Sequence, residues 1–120
     1  MTIMRNAYTA VIARGEWWEG ALQTEPYEAA WAGEALFFVR VMMVDTGDAS
    51  DTGAASAVAR VQISPDGLHW VDEGSSIRIP ARMDALAFAR VREFGGWLRL
   101  AVEVPPGARL QVVATLALKA

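Results

Sequence analysis

The sequence contains no cysteine and a single histidine, His69. The absence of cysteine excludes disulfides, thiolate nucleophiles and Cys-based zinc sites. One histidine cannot build a His-based metal site, and no serine has a recognisable catalytic partner. We therefore expect no catalytic residue and no cofactor, and we expect folding to require no metal. The protein is predicted not to be an enzyme.

Excess positive charge and long apolar runs are also missing. The sequence has 11 basic and 14 acidic residues, which gives a net charge of −3. It therefore lacks the excess of basic residues that is typical of a protein that binds nucleic acid. No apolar run approaches the roughly 18 residues that a membrane-spanning helix needs. The N-terminus lacks a continuous apolar segment and a convincing cleavage site, so we expect no signal peptide and no membrane partner. The 53% hydrophobic content suits one soluble domain, predicted to span residues 1–120.

The clearest structural unit is a hairpin between Ala57 and Glu73. In Ala57–Ser64 an apolar set of residues alternates with a second set that is polar apart from Val58, which is typical of a strand with one buried face. The following Pro65, Asp66 and Gly67 favour a tight turn, because proline presets its φ and glycine tolerates positive φ. Trp70 restarts the apolar signal, and we predict that it is a core aromatic closing the hairpin. His69 is predicted to be a solvent-exposed turn residue.

Other strands follow at similar spacing. Trp97–Val104 and Arg109–Lys119 alternate in the same way and flank Pro106-Gly107, a pair typical of a type II turn. We predict that these two strands form a second antiparallel hairpin. Seven to nine strands without an amphipathic helix predict an all-β fold, an antiparallel two-layer β-sandwich that resembles a jelly roll.

The segment Ala35–Asp45 is apolar on both faces of its predicted strand. One face carries Phe37, Val39, Val41 and Met43, and only Arg40 interrupts the other. A strand of this kind lies between two packed layers or is partly covered by another chain. We therefore predict an interface with a second copy or another protein, formed by Leu36, Phe38, Met42 and Val44.

Two adjacent tryptophans, Trp17 and Trp18, extend this prediction. Neighbouring side chains on a strand face opposite ways, so at least one of the two should be exposed or at an interface. We include both in the predicted interface, because aromatic residues are enriched there. The alternative is a carbohydrate-binding module that uses exposed tryptophans. A flat outer face with Phe38 and Met42 favours assembly, whereas a loop-end tryptophan cluster with polar neighbours favours sugar.

Three carboxylates, Asp45, Asp48 and Asp51, lie three residues apart near glycines. Calcium accepts several oxygen ligands in a flexible loop, so the spacing is chemically allowed. The segment lacks the longer EF-hand order and a closing bidentate glutamate. We favour a solvated loop over a calcium site.

A wider pattern combines S-x-DG-x-x-W from Ser64 to Trp70, the strand Gly96–Leu100, and a closing apolar strand that ends at Lys119. From about Thr24 onward it resembles the small β-sandwich proteins encoded among the virion genes of tailed phages and phage-derived elements. A similar hairpin occurs in discoidin-type carbohydrate- and lipid-binding sandwiches.

The resemblance to virion proteins implies an accessory role in head decoration, a tail or a fibre. It implies a location in a virion or phage-like particle, the cytoplasm being the alternative. The implied partners are further copies of the chain, a capsid protein or a tail protein. It transfers no catalytic residue.

Overall fold

The computed structural model describes residues 7–47 and 56–120. These residues contain nine β-strands and no helix. These residues therefore contain no helix that could cross a membrane. The strands in chain order are β1 (Ala7–Trp18), β2 (Ala21–Gln23), β3 (Tyr27–Glu28), β4 (Glu34–Asp45), β5 (Ser56–Ser64), β6 (Val71–Pro80), β7 (Leu86–Arg92), β8 (Trp97–Glu103) and β9 (Arg109–Lys119).

The strands form two antiparallel sheets. The first sheet has the order β1-β9-β4-β7, and the second has the order β2-β8-β5-β6, with the short β3 also pairing with β8. With β3 left out, this is the strand order of a jelly roll, in which the chain passes between two facing sheets at each connection except that of the β5–β6 hairpin. The predicted all-β, antiparallel, jelly-roll-like sandwich is confirmed.

The core lies between the sheets and is built from alternate residues of the long strands. In β9 every second residue is fully buried, namely Leu110, Val112, Ala114, Leu116 and Leu118. The inward residues of β8 are buried in the same way. Because burying one such leucine or valine contributes roughly 1.5–3 kcal/mol, this alternation accounts for much of what holds the two layers together.

The predicted first hairpin is present as β5 and β6, although its connection is longer than a tight turn. The Oγ atom of Ser64 accepts the N–H of Gly67 at 2.8 Å, and Oδ1 of Asp66 accepts the N–H groups of Leu68 and His69 at 2.8 and 2.9 Å. The backbone bond from His69 and the bond to its ring hold the pKa of Asp66 well below its usual range. His69 itself is exposed, as predicted.

The prediction that Trp70 is a core aromatic is wrong. Trp70 is half-buried and lies outside the core, with the guanidinium of Arg99 placed 4.2 Å from its ring centroid. Arg99 alternates with the buried Leu98 and Leu100, so it faces outward. The connection ends at Trp70, one residue before β6 begins, and its indole packs on the outside of the second sheet.

The predicted second hairpin is also wrong. The type II turn is present, since the N–H of Ala108 donates to the carbonyl of Pro105 at 3.2 Å and Gly107 has a φ of +85°. However, β8 pairs within the second sheet, whereas β9 pairs with β1 and β4 in the first. The turn therefore carries the chain from one layer to the other. Val104 and Ala108, on either side of it, are both buried in the core.

Candidate interaction surface

The outward side of the first sheet carries a cluster of apolar side chains; we call it the outer face. Phe38 of β4 lies opposite Phe88 of β7 and Thr115 of β9, and the two phenyl centroids are 6.0 Å apart. Leu36 lies one pair further along the same face, opposite Ala117. Both Leu36 and Phe38 are half-buried by their neighbours in the sheet. The structure thus places two of the predicted interface residues together on one surface.

Strand β7 adds two residues that the sequence did not single out. Phe88 is 57% exposed and Leu86 is 65% exposed, and both face outward, while Ala89 and Val91 point into the core. The segment alternates between large and small apolar residues, which left its direction ambiguous because alanine reports burial weakly. Size alone would have placed Leu86 and Phe88 in the core, because large apolar side chains are usually the buried ones, so no local signal in this segment indicated that they face outward.

A β-bulge changes the face assignment at the end of β4. The register of β4 on β9 shifts between Val41 and Met43, and Met42 is the extra, half-buried residue. A bulge reverses the alternation of the strand that contains it. As a result Met43 points outward and is 50% exposed, whereas Val44 packs against the core. Met43, and not Val44, therefore belongs to the outer face.

The two adjacent tryptophans separate as strand geometry requires. Trp18 is only 1% exposed and lies in the core, so it does not belong to the outer face, and its Nε1 finds no hydrogen-bond partner among the described residues. Trp17 is 40% exposed and lies opposite Gln111 on the outward side of the first sheet. The guanidinium of Arg109 sits 4.7 Å from its ring centroid and covers one side of the indole.

The outer face is basic, although the chain as a whole is acidic. By register it holds six of the 11 basic residues but only two of the 14 acidic ones, a formal charge of +4. Since the net charge is −3, the rest of the chain carries −7. The charged residues of the outer face are Arg14, Arg40, Arg90, Arg92, Arg109 and Lys119, with Glu34 and Asp45.

Asp45 is the one predicted calcium-loop carboxylate that the structure describes; Asp48 and Asp51 lie outside the described residues. Its carboxylate accepts hydrogen bonds from Arg109 and from the N–H of Gly47, and these hold the pKa of Asp45 below its usual range. Within the described residues, no three acidic or histidine side chains come together as a potential metal site. The expectation of a solvated loop, rather than a calcium site, stays a prediction.

The outward side of the second sheet is polar by comparison. Gln62 donates to Asp72 at 2.9 Å and accepts from Arg99 at 2.8 Å, and Arg60 pairs with the same Asp72 at 3.2 Å. A groove of about 270 Å³ beside this network is lined by Val58, Arg60, Asp72, Gly74, Ser75 and Ser76. None of these lining residues is aromatic, so the groove offers no ring on which a sugar could stack.

A family match covers the second half of the chain. Residues 50–114 match the family described as domain of unknown function (DUF6385), which is more than half of the sequence. The chain therefore belongs to this family, and the description assigns it no activity. No curated protein matches the sequence.

Solved structures resemble the fold at low sequence identity. The SPBc2 prophage-derived protein YomS aligns over 100% of this chain and 98% of its own, with 8% identity and a TM-score of 0.54. A carbohydrate-binding module, CBM35 of Abf62 from Cellvibrio japonicus, aligns over 94% of this chain and 92% of its own, with 10% identity and a TM-score of 0.49. At 8% identity, the likeness to YomS shows a common β-sandwich fold.

Proposed function

We propose that the protein is a non-enzymatic structural component of a virion or phage-like particle. In this proposal it self-associates or docks on a capsid or tail protein through the outer face. The observation that carries the proposal is the apolar cluster of Leu36, Phe38, Leu86 and Phe88, which projects outward from a sheet whose other side already fills the core. The likeness in fold to a prophage-derived protein supports the proposed place in a virion or phage-like particle.

Burial of this cluster would contribute substantially to association. Transfer of apolar surface out of water contributes about 25 cal/mol per Å², and aromatic side chains bury the largest areas. Phe88 and Leu86 are each more than half exposed, so most of their surface is still in contact with water. Exposed apolar clusters on a protein surface commonly mark a site of interaction with a partner.

The placement of the tryptophans gives less support to a carbohydrate-binding module. Trp18 is in the core, and arginine side chains already cover one ring face of Trp17 and of Trp70. Trp31, which is 46% exposed, is the tryptophan that such a module would have to use. Sugar stacking needs a free aromatic face beside polar groups. The assembly hypothesis is therefore the one that we carry forward.

The test is sedimentation of the parent protein beside the variant Phe38→Glu. We expect the parent to self-associate, or to bind a capsid or tail protein encoded beside it, and the variant to stay folded but lose that association. Val58→Glu is the matched control, because Val58 is an exposed apolar residue on the outward side of the second sheet. Equal association of the parent and Phe38→Glu would contradict the proposal, as would a parent that binds no such partner and retains an oligosaccharide.

A further inference from the structure

An acidic segment lies at one edge of the sandwich. Residues 16–31 contain four glutamates and no lysine or arginine; we call them the acidic edge. All four glutamates are exposed, and none forms an ion pair with any residue that the structure describes. The same segment ends in Trp31, whose side chain is 46% exposed. The glutamates are Glu16, Glu19, Glu25 and Glu28.

The four glutamates and the apolar cluster lie at opposite edges of the molecule. The glutamates lie at the end of β1, in β3 and in the loops that join β1, β2 and β3, which are the outermost strands on one side of the two sheets. Trp31 lies beyond them in the connection from β3 to β4, two residues before Gly33, whose N–H donates to the carbonyl of Lys119 at 2.9 Å. Phe88 and Leu86 belong to β7, the outermost strand on the other side of the first sheet. Within one chain Glu19 lies near Arg109, at the β1 side of the outer face, but the apolar cluster lies on β4 and β7, at the far side of the sheet. The glutamates and the apolar cluster can therefore meet only between copies.

Charge decides between the two ways in which copies could pair. A two-fold symmetric contact of outer face on outer face would oppose two surfaces of formal charge +4, and like charges across an interface are unfavourable. A head-to-tail contact would instead bring the glutamates toward Arg40, Arg90 and Arg92. Within the chain these three arginines pair with two carboxylates, Asp84 and Glu34, so their positive charge is only partly neutralised. It would also allow Trp31 of one copy to pack against the apolar cluster around Phe38 and Phe88 of the other copy. Tryptophan and arginine are the residues most enriched among those that dominate binding energy.

We propose that the outer face binds the acidic edge of a second copy of this chain. The inference rests on the proposed function, and it names the partner and the polarity of the contact. A head-to-tail contact leaves one outer face and one acidic edge unused at the two ends of every dimer. Such a contact propagates into a ring if its rotation closes and into an open filament if it does not.

Mixing two single-surface variants tests this polarity. Phe88→Asp damages the outer face and leaves the acidic edge intact, whereas Glu28→Lys with Trp31→Ala damages only the acidic edge. We expect each variant alone to associate at least tenfold more weakly than the parent in analytical ultracentrifugation. An equimolar mixture should form dimers but nothing larger, with an affinity within about twofold of the parent contact, because each dimer retains one intact pair of surfaces.

Glu73→Lys with Val58→Ala is the control for the acidic-edge variant. It makes the same charge change and removes an exposed apolar side chain, but on β6 and β5, away from the edge that β2 and β3 form. We expect it to associate like the parent. Parent association should also weaken several-fold between about 0.05 and 0.5 M NaCl, since exposed charges are screened.

The outcomes separate the polarity from the proposed function. If the acidic-edge variant associates like the parent while Phe88→Asp does not, the head-to-tail polarity is overturned and the outer face remains the docking surface. If neither variant changes the association, both proposals fall. A parent that is monomeric at millimolar concentration overturns the self-association inferred here and leaves docking on a capsid or tail protein to be tested by the Phe38→Glu experiment.

Discussion

Gly67 lies directly against the indole of Trp97, so that a Cβ atom at position 67 would stand 3.1 Å from the ring. Gly67 also has a φ of +79°, a conformation that other residues adopt only with strain. We expect Gly67→Ala to lower the free energy of unfolding by about 1–3 kcal/mol, from the combined backbone strain and crowding. Urea denaturation followed by tryptophan fluorescence measures this change.

Gly95 provides the control for this prediction. It has the same φ of +79°, but, its two chain neighbours apart, no atom lies within 4 Å of the place where its Cβ would stand. Gly95→Ala should therefore report the backbone strain alone and cost less than Gly67→Ala. Equal losses in the two variants would mean that the indole of Trp97 accommodates the added methyl group at no cost in stability.

Local sequence signals predicted the strands well because each one depends on nearby residues. Alternation in β8 and β9 identified every inward residue of Leu98–Val104 and Leu110–Leu118. The turn at Pro106-Gly107 was equally readable. Neither the alternation nor the turn could reveal whether β8 and β9 pair side by side in one sheet or face each other across the core. Both arrangements use the same turn residues and the same alternation, and only pairing with distant strands decides between them.

The pH dependence of stability should reveal the carboxylate of Asp66. Hydrogen bonds from the backbone N–H and ring of His69 and from the N–H of Leu68 hold the pKa of Asp66 below its value in an unfolded chain. A lowered pKa means that the charged form stabilises the folded state above about pH 4, and that this contribution is lost as the pH falls below that value. Replacement by asparagine removes the charge but keeps an oxygen acceptor.

We therefore compare the parent with Asp66→Asn in urea titrations between about pH 2.5 and 7. The difference in unfolding free energy should shrink steadily as the pH falls below about 4. Asp45, whose pKa is also lowered, titrates in both proteins and cancels from the difference. A difference that stays the same at both ends of this range would show that the charge of Asp66 does not stabilise the connection.

The outer face was predictable only in part, and the reasons are geometric. An uninterrupted run of apolar residues in β4 correctly indicated that Leu36 and Phe38 face away from the core. The adjacent tryptophans had to point in opposite directions, but nothing local indicated which one is buried. The bulge at Met42 has no residue signature, since neither glycine nor proline marks it. Its position follows from pairing with β9, which lies about seventy residues further along the chain.

Substitution of the two residues after this bulge tests the register on which the outer face depends. Because Val44 packs against the core, Val44→Asp would place a carboxylate among apolar side chains, and we expect a loss of about 2–4 kcal/mol in unfolding free energy. Met43 is half exposed on the other side of the strand, so Met43→Asp should cost about 1 kcal/mol or less. The same new residue enters in both variants, so the low strand propensity of aspartate cancels between them. Both are measured by urea denaturation at low protein concentration, where association does not contribute. If the strand alternated without a bulge, Met43 would point inward and Val44 outward, and the order of the two losses would be reversed.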